Sequence, residues 1–455
     1  MTAEGTAVRD GLARRALELI DADEIRDLTV ALIREGSENP PAHGATEVEA
    51  GVVRVLADAC ERHGLDVRIA EVAPGRPNLT ARLGDPDAPG LLLLVHTDTV
   101  PAGAGWTVPP LGGTVADGRV VGRGAADMKG GIAAAVAAMS ALRRAAAEAG
   151  VAPPPVTLAA VADEEETGTG ARAFTATHPE TPSANPGSRG TPAAPHPRND
   201  SSTHAGHDSG AYARHSRGAH AGDGGGRYAG AIVAEPTEMR TIVACRGDCY
   251  VEVEVCGRAA HAGDPDTGAN AVYGAARVIE AVRALHEDAR ARPHPLLGPR
   301  TWNVGLVTGG SGTAVVPDRC RVSADRRLLP GETGADAVAE IDDVLAMLRL
   351  DDMGLSARAW LGMEMPGFET PEDHPLVRAA HAAAREAGGP DLPVAGWTAA
   401  CDGGFLSRDL GLPVVVLGPG SVVHQAHRPD ESVSLTDLHT AARAYVLSAL
   451  RLRAA

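Results

Sequence analysis

Aromatic residues are nearly missing from this chain: three Phe, four Trp and five Tyr in 455 residues. Its apolar packing therefore has to rest on Ala, Val and Leu. Cysteine is sparse as well, and the six present (Cys60, Cys245, Cys249, Cys256, Cys320, Cys401) are scattered without CxxC spacing. That pattern excludes a disulfide framework or a Cys-rich structural zinc site and points to a reducing cytoplasm. Positive charge is outnumbered, 42 Lys and Arg against 59 Asp and Glu, for a net charge of -17. Such a balance opposes binding to a phosphate backbone, so no nucleic-acid partner is expected. No run reaches the roughly 18 apolar residues of a membrane helix. Acidic residues also interrupt the opening MTAEGTAVRDGLARRALELIDADEIRDL, which lacks the continuous apolar stretch of a secretory signal. No membrane association is expected.

Hydrophobic residues at 44% and charged residues at 22% are ordinary for a globular protein. At this length, two structural units are the better expectation than one. Apolar spacing predicts two opening helices, within 12–35 and 46–63, separated by SENPPAHGA. Strand-like runs follow at Val67–Val72, Leu79–Leu83, Leu91–Val95 and Val156–Val161, with a helix from Gly130 to about Ala147. Alternating strands and helices imply an α/β fold with a mostly parallel sheet, whose ligands bind at the carboxyl ends of strands. The stretch 175–228 is rich in Pro, Gly, Ser and His and poor in large apolar residues, so it is predicted to be a disordered insertion. Its His content also allows loose metal binding, without fixed geometry. From 244 to 361 the pattern changes to a smaller α+β unit, containing YVEVEV and RCRVSADRRL. The first style then returns over 362–455, so the smaller unit reads as inserted between 1–243 and 362–455.

Candidate chemistry sits where apolar strands end. LLLLVHTDTV places His96 and Asp98 on the same side of a strand, where Asp98 can orient the imidazole. GRGAADMKGG offers Asp127 in a Gly-rich turn before a helix, either a metal-bridging carboxylate or a helix cap. VADEEETGTG supplies Asp163 to Glu166, four acids in a row, which suggests a nearby cation or a solvated turn. AIVAEPTE delivers Glu235, and GPGSVVHQAHRPDE delivers His424 and His427, of which one suffices as a ligand. Each motif alone has an ordinary structural alternative. Together, separate strand ends each bring one His or carboxylate toward the place where such folds bind ligands.

These motifs, in this order, resemble the superfamily of aminoacylases, acetylornithine deacetylases and succinyl-diaminopimelate desuccinylases, zinc amidohydrolases that also include carboxypeptidases and dipeptidases. SENPP, GRAAHAGDP and VVPDRC belong to the match, which spans nearly the whole chain outside the His-rich stretch. The resemblance implies two zinc ions, with cobalt as a possible substitute, sharing Asp127. His96 and Glu235 would complete one site, and Glu165 and His427 the other. Asp98 would support His96, and Glu164 would be the general base beside the ligand Glu165; a one-residue slip would move base and ligand to Glu165 and Glu166. His261 would reach the active site of a partner subunit, which implies a homodimer formed through the inserted, ferredoxin-like lid. Arg327, in preference to Arg326, would clamp the substrate's α-carboxylate. A cis peptide after Asp127 is also implied. One departure is Ala314, where many members carry a substrate-contacting Asn.

The function that follows is zinc-dependent release of a free amino acid from an N-acyl-L-amino acid, as by acetylornithine deacetylase or succinyl-diaminopimelate desuccinylase. A dipeptidase or carboxypeptidase is the alternative within that chemistry. A metal-free binding module on the same fold is the alternative outside it.

Overall fold

The structure, a computed structural model, describes residues 3–39, 48–177 and 228–452. The predicted insertion is shorter than its sequence suggests at both ends. Residues 175–177 finish the helix Thr169–Thr177 and Tyr228 opens the strand Tyr228–Val233, while 178–227 lie outside the described residues.

Three helices open the chain rather than two: Ala3–Glu18, Ala22–Arg34 and Ala50–Arg62. The break inside 12–35 comes from Asp21, whose carboxylate accepts the N–H groups of Asp23 and Glu24 and so starts a new helix. The main sheet has nine strands among the described residues. At its centre Val156–Val161, Gly90–His96, Tyr228–Val233 and Val414–Val416 run parallel. A hairpin of Asp66–Ala73 and Arg76–Leu83 flanks them antiparallel. On the other side come Ile242–Cys245 and two short strands, Phe368–Glu369 and Ala395–Trp397. Strands buried on both faces read as continuous apolar runs, and LLLLV, VTLAAV and VVV fit that rule.

The helix Gly130–Ala149 shows how the scarcity of aromatics is met. Alanines let it pack against the helices Ala3–Glu18, Ala22–Arg34 and Leu435–Leu452 at once. By length and composition the stretch Ala125–Ala149 could cross a membrane, yet 94% of its apolar window is buried inside the protein. It is a core helix. Gly131 sits so close to the neighbouring strand end that a Cβ there would lie 2.6 Å from the Ala234 carbonyl oxygen, one residue before Glu235.

The inserted unit runs β-α-β-β-α-β, from Gly247–Cys256 through Ala271–Ala289, Thr301–Gly309, Arg319–Leu328 and Gly334–Leu348 to Ser356–Met365. Its antiparallel sheet has Thr301–Gly309 at one edge and a core of its own under the two helices. This is the ferredoxin-like arrangement. The borders read at 244 and 361 both fall inside strands, Ile242–Cys245 and Ser356–Met365.

Candidate metal centre

Strand ends and one turn bring the predicted ligands together. His96 is the last residue of Gly90–His96. Asp127 lies in the wound segment Ala125–Lys129, just ahead of the helix Gly130–Ala149, and its peptide bond to Met128 is cis. The helix-cap alternative does not apply: residue 129 occupies the cap position, and Asp127 directs its carboxylate elsewhere. One of its oxygens, Oδ1, lies 3.1 Å from His96 Nε2, which is itself 3.6 Å from Glu235 Oε1. The other, Oδ2, lies 3.4 Å from His427 Nε2, which is 3.2 Å from Glu165 Oε2. Asp127 thus turns one oxygen toward each of two donor groups. His96, Asp127 and Glu165 offer ligand atoms all within 4.8 Å of one another, a group that can hold a metal ion. Imidazole nitrogens with carboxylate oxygens and no thiolate are a donor set that zinc accepts.

Electrostatics points the same way. Burial pushes the carboxyls of Glu164 and Glu235 well above their ordinary range, and neighbouring carboxylates add to it. Burial also works against the charged form of His96, but Glu235, Asp127 and Asp98 override it and hold the imidazole well above its usual value. Contacts with Asp127 and Glu165 raise His427 to about 10. So many acids gathered out of water require compensating positive charge.

The DEEET turn separates its acids by direction. Glu165 faces His427, whereas Glu166 is exposed at the rim of the cleft. Glu164 lines the same cleft and feels His96 and Glu235 most strongly among its charged neighbours. Asp98, fully buried, accepts the N–H of Glu164 on Oδ1 and that of Glu165 on Oδ2, both at 3.1 Å. Its backbone oxygen lies 3.0 Å from His96 Nδ1, with Oδ1 at 3.4 Å. His424 and His427 are both exposed, but among the described residues His427 meets Asp127 and Glu165 whereas the His424 ring makes no hydrogen bond.

Several participants carried no local sequence signal. Glu431 accepts the N–H groups of Ala126 and Asp127 at 2.9 and 3.0 Å and pairs with buried Arg123 at 2.5 Å, so it fixes the turn that presents Asp127. Gly124 permits that turn, with φ at 82° and Thr99 too close for a side chain. Asn39 donates to both Asp98 and Asp163 at 2.9 Å. Asp402 is buried with both carboxylate oxygens unpartnered among the described residues, and burial pushes it up to about 8.

The cleft holds about 360 Å³, near the lower end for small-molecule sites. The inserted unit contributes Asp248, Tyr250, Arg327, Met363 and Met365 to its wall. Strand alternation separates the two candidate arginines. Arg326 points into the unit's own core, over the Trp302 ring and toward Glu332 and Glu340. Arg327 faces the cleft and pairs with Asp325 at 3.1 Å and Asp248 at 3.4 Å. Burial lifts Asp248 to about 7, and Arg327 offsets only part of that. His261 is not brought to the cleft of its own chain. It is exposed, in a loop whose backbone pairs with the Ala314–Val316 segment.

The model for peptidase family M20/M25/M40 matches residues 92–451. The chain is 28% identical over 422 residues to an acetylornithine deacetylase of Aliivibrio fischeri, covering 91% of this chain and 94% of that one. It is 30% identical over 407 residues to the acetylornithine deacetylase of Salmonella arizonae, covering 86% and 89%. Among solved structures, an M20 family metallo-carboxypeptidase from Sulfolobus solfataricus superposes with a TM-score of 0.67 at 16% identity, covering 95% and 100%. Human carnosine dipeptidase 1 gives 0.64 at 16%, covering 97% and 100%. At those identities the structural likeness concerns the fold alone.

Proposed function

The chain belongs to the M20/M25/M40 peptidase family and is a hydrolase of amide bonds, and from that premise we propose that it deacylates N-acyl-L-amino acids whose side chain carries a positive charge. N-acetylornithine is the first candidate and N-succinyl-diaminopimelate the second. The observation that carries this is the cleft wall. Arg327 offers a planar guanidinium for an α-carboxylate, and Asp248 and Glu166 face the same space with negative charge. An incoming ammonium is the charge that would keep Asp248 ionised. The similarity to acetylornithine deacetylases over most of the chain supports the same choice.

Two zinc ions would be held by His96, Asp127 and Glu235, and by Asp127, Glu165 and His427. When bound, they supply the positive charge that polarises the substrate carbonyl and acidifies water. Glu164, in the cleft but outside both ligand groups, takes a proton from the attacking water and passes it to the departing nitrogen. Asp98 keeps the His96 imidazole turned toward Asp127. The free cysteines, with no disulfide among the described residues, support a cytoplasmic setting.

Substrate profiling tests this reading. N-acetylornithine should be hydrolysed faster than N-acetyl-leucine, and Asp248→Asn should lower kcat/KM for the charged substrate by about 10- to 100-fold, the worth of a charged hydrogen bond. Rapid cleavage of dipeptides with both acyl amino acids inert would assign a dipeptidase instead.

A homodimer would complete the site, because His261 needs a neighbouring chain's cleft to act on a reacting carbonyl oxygen. Its support is the strand Thr301–Gly309, an edge strand among the described residues, which exposes Leu306 and Val307 beside Tyr273 on the adjoining helix, exposed at 66%. Sedimentation should give twice 46.5 kDa, and Leu306→Lys should yield an inactive monomer. A fully active monomer would remove His261 from the mechanism.

A further inference from the structure

The region beneath the metal centre holds three more buried carboxylates: Asp98, Asp163 and Glu49, of which the first and last are fully shielded from solvent. Among the described residues, the one cation paired with Asp163 or Glu49 is Arg76, at the start of the strand Arg76–Leu83. Its Nη1 donates to Glu49 Oε1 at 2.8 Å and to Asp163 Oδ1 at 2.9 Å, and its Nη2 donates to Asn39 Oδ1 at 2.7 Å. Only 16% of the side chain is exposed.

The Nη2 contact gives Arg76 a consequence beyond charge balance. Asn39 Nδ2 is shared between Asp98 Oδ2 and Asp163 Oδ1. An amide is nearly symmetric in shape, so its direction is set by what its oxygen meets. Turned over, Asn39 would press its oxygen on two carboxylates and its NH₂ on a guanidinium. Arg76 therefore locks, from the oxygen side, the direction of Asn39 that the two carboxylates favour from the nitrogen side. Asn39 in turn helps to fix the Asp98 carboxylate, and Asp98 holds His96 and the N–H groups of both Glu164 and Glu165. Asp163, left-handed at φ 67°, is tied to the same guanidinium, and its side chain accepts the hydroxyls of Thr167 and Thr169, which close the turn carrying both glutamates.

Resting on the ligand and base assignments above, we propose that Arg76 is a positioning residue for the metal centre, acting through Asn39 and Asp163 on His96, Glu164 and Glu165. It touches neither metal nor substrate. Outer partners of this kind are generally worth about 10- to 100-fold in metal affinity or activity.

The test uses the full-length chain and Arg76→Gln. Zinc affinity is measured by competition with a chelating dye, the visible spectrum of the cobalt-loaded protein is recorded, and kcat and KM are determined separately. We expect zinc affinity or kcat to fall about 10- to 100-fold, with an altered cobalt spectrum and KM within about threefold of the parent. Should this variant fail to fold, Arg76→Lys carries the same test, since it keeps the buried charge but cannot donate to Asn39, Asp163 and Glu49 in one plane. A folded variant with parental zinc affinity, cobalt spectrum and kcat would reduce Arg76 to a fold-stabilising residue. Affinity and spectrum need no substrate. Loss of the proposed deacylase activity in the parent would therefore sink the functional reading and leave this one still decided by the metal measurements.

Discussion

Glu164→Ala is expected to lower turnover by about 10²- to 10⁴-fold, the usual worth of a positioned general base, while the metal content of the purified protein stays unchanged. The reason lies in how the DEEET turn divides its acids. Glu165 is committed to His427 and Asp127 at one donor group, and Glu166 stands in solvent at the rim. That leaves Glu164 as the carboxyl that lines the cleft without a ligand's contacts, lifted well above its ordinary range chiefly by burial. A base with a raised affinity for protons can both accept one from water and return it to a leaving nitrogen, which an ordinary surface glutamate does poorly near neutral pH. Elemental analysis accompanies the kinetics because it separates the two registers. If Glu164→Ala loses metal, Glu164 is a ligand and not the base; if metal and turnover both survive, the slipped register holds, with Glu165 as base and Glu166 as ligand.

Stripping the protein with a strong chelator is the second large effect: activity should vanish and the melting temperature should fall by several degrees, both restored by zinc or cobalt. Binding confined to the native state stabilises it by about 4 kcal/mol when free metal is a thousand times its dissociation constant. The stripped site has its own cost. Asp127, Glu164, Glu165 and Glu235 then share a largely buried space with two imidazoles and no metal charge. Protons must replace the cations, so metal uptake should release protons into an unbuffered solution. Full activity in a preparation shown to be metal-free would overturn the metal centre altogether.

What was legible in the sequence follows a physical rule. His96 and Glu235 could be found because each ends or directly follows a run of residues apolar enough to be read as a buried strand, and Glu165 because it belongs to the acidic turn that such a run opens into; strand ends are where such sheets place their sites. Asp127 was legible from the glycines its turn requires. Arg76, Asn39, Arg123 and Glu431 were not, because their partners are set by the closed fold. Glu431 lies 305 residues from the Ala126 N–H it accepts, and nothing in RPDESV marks it. The short strands Phe368–Glu369 and Ala395–Trp397 escaped for a related reason: two or three residues are too few to show a period. The Asp21 break was missed because its helix-start signal, an Asp ahead of further acids, lies inside a longer apolar rhythm that reads as one helix. The direction of Arg327, by contrast, needed only strand alternation.

The inserted unit also imposes an order on synthesis. The strand Tyr228–Val233 gains its second parallel neighbour only when Val414–Val416 arrives. On the ribosome, at roughly 5–20 residues per second, the intervening chain takes on the order of ten seconds or more to emerge. Throughout that interval an apolar strand edge in the middle of the future sheet stays open, and His427 does not yet exist. A nascent chain of this protein is thus exposed to wrong pairing for longer than one whose central strands are made consecutively. Expression at lower temperature or with added chaperones should raise the soluble yield for that reason.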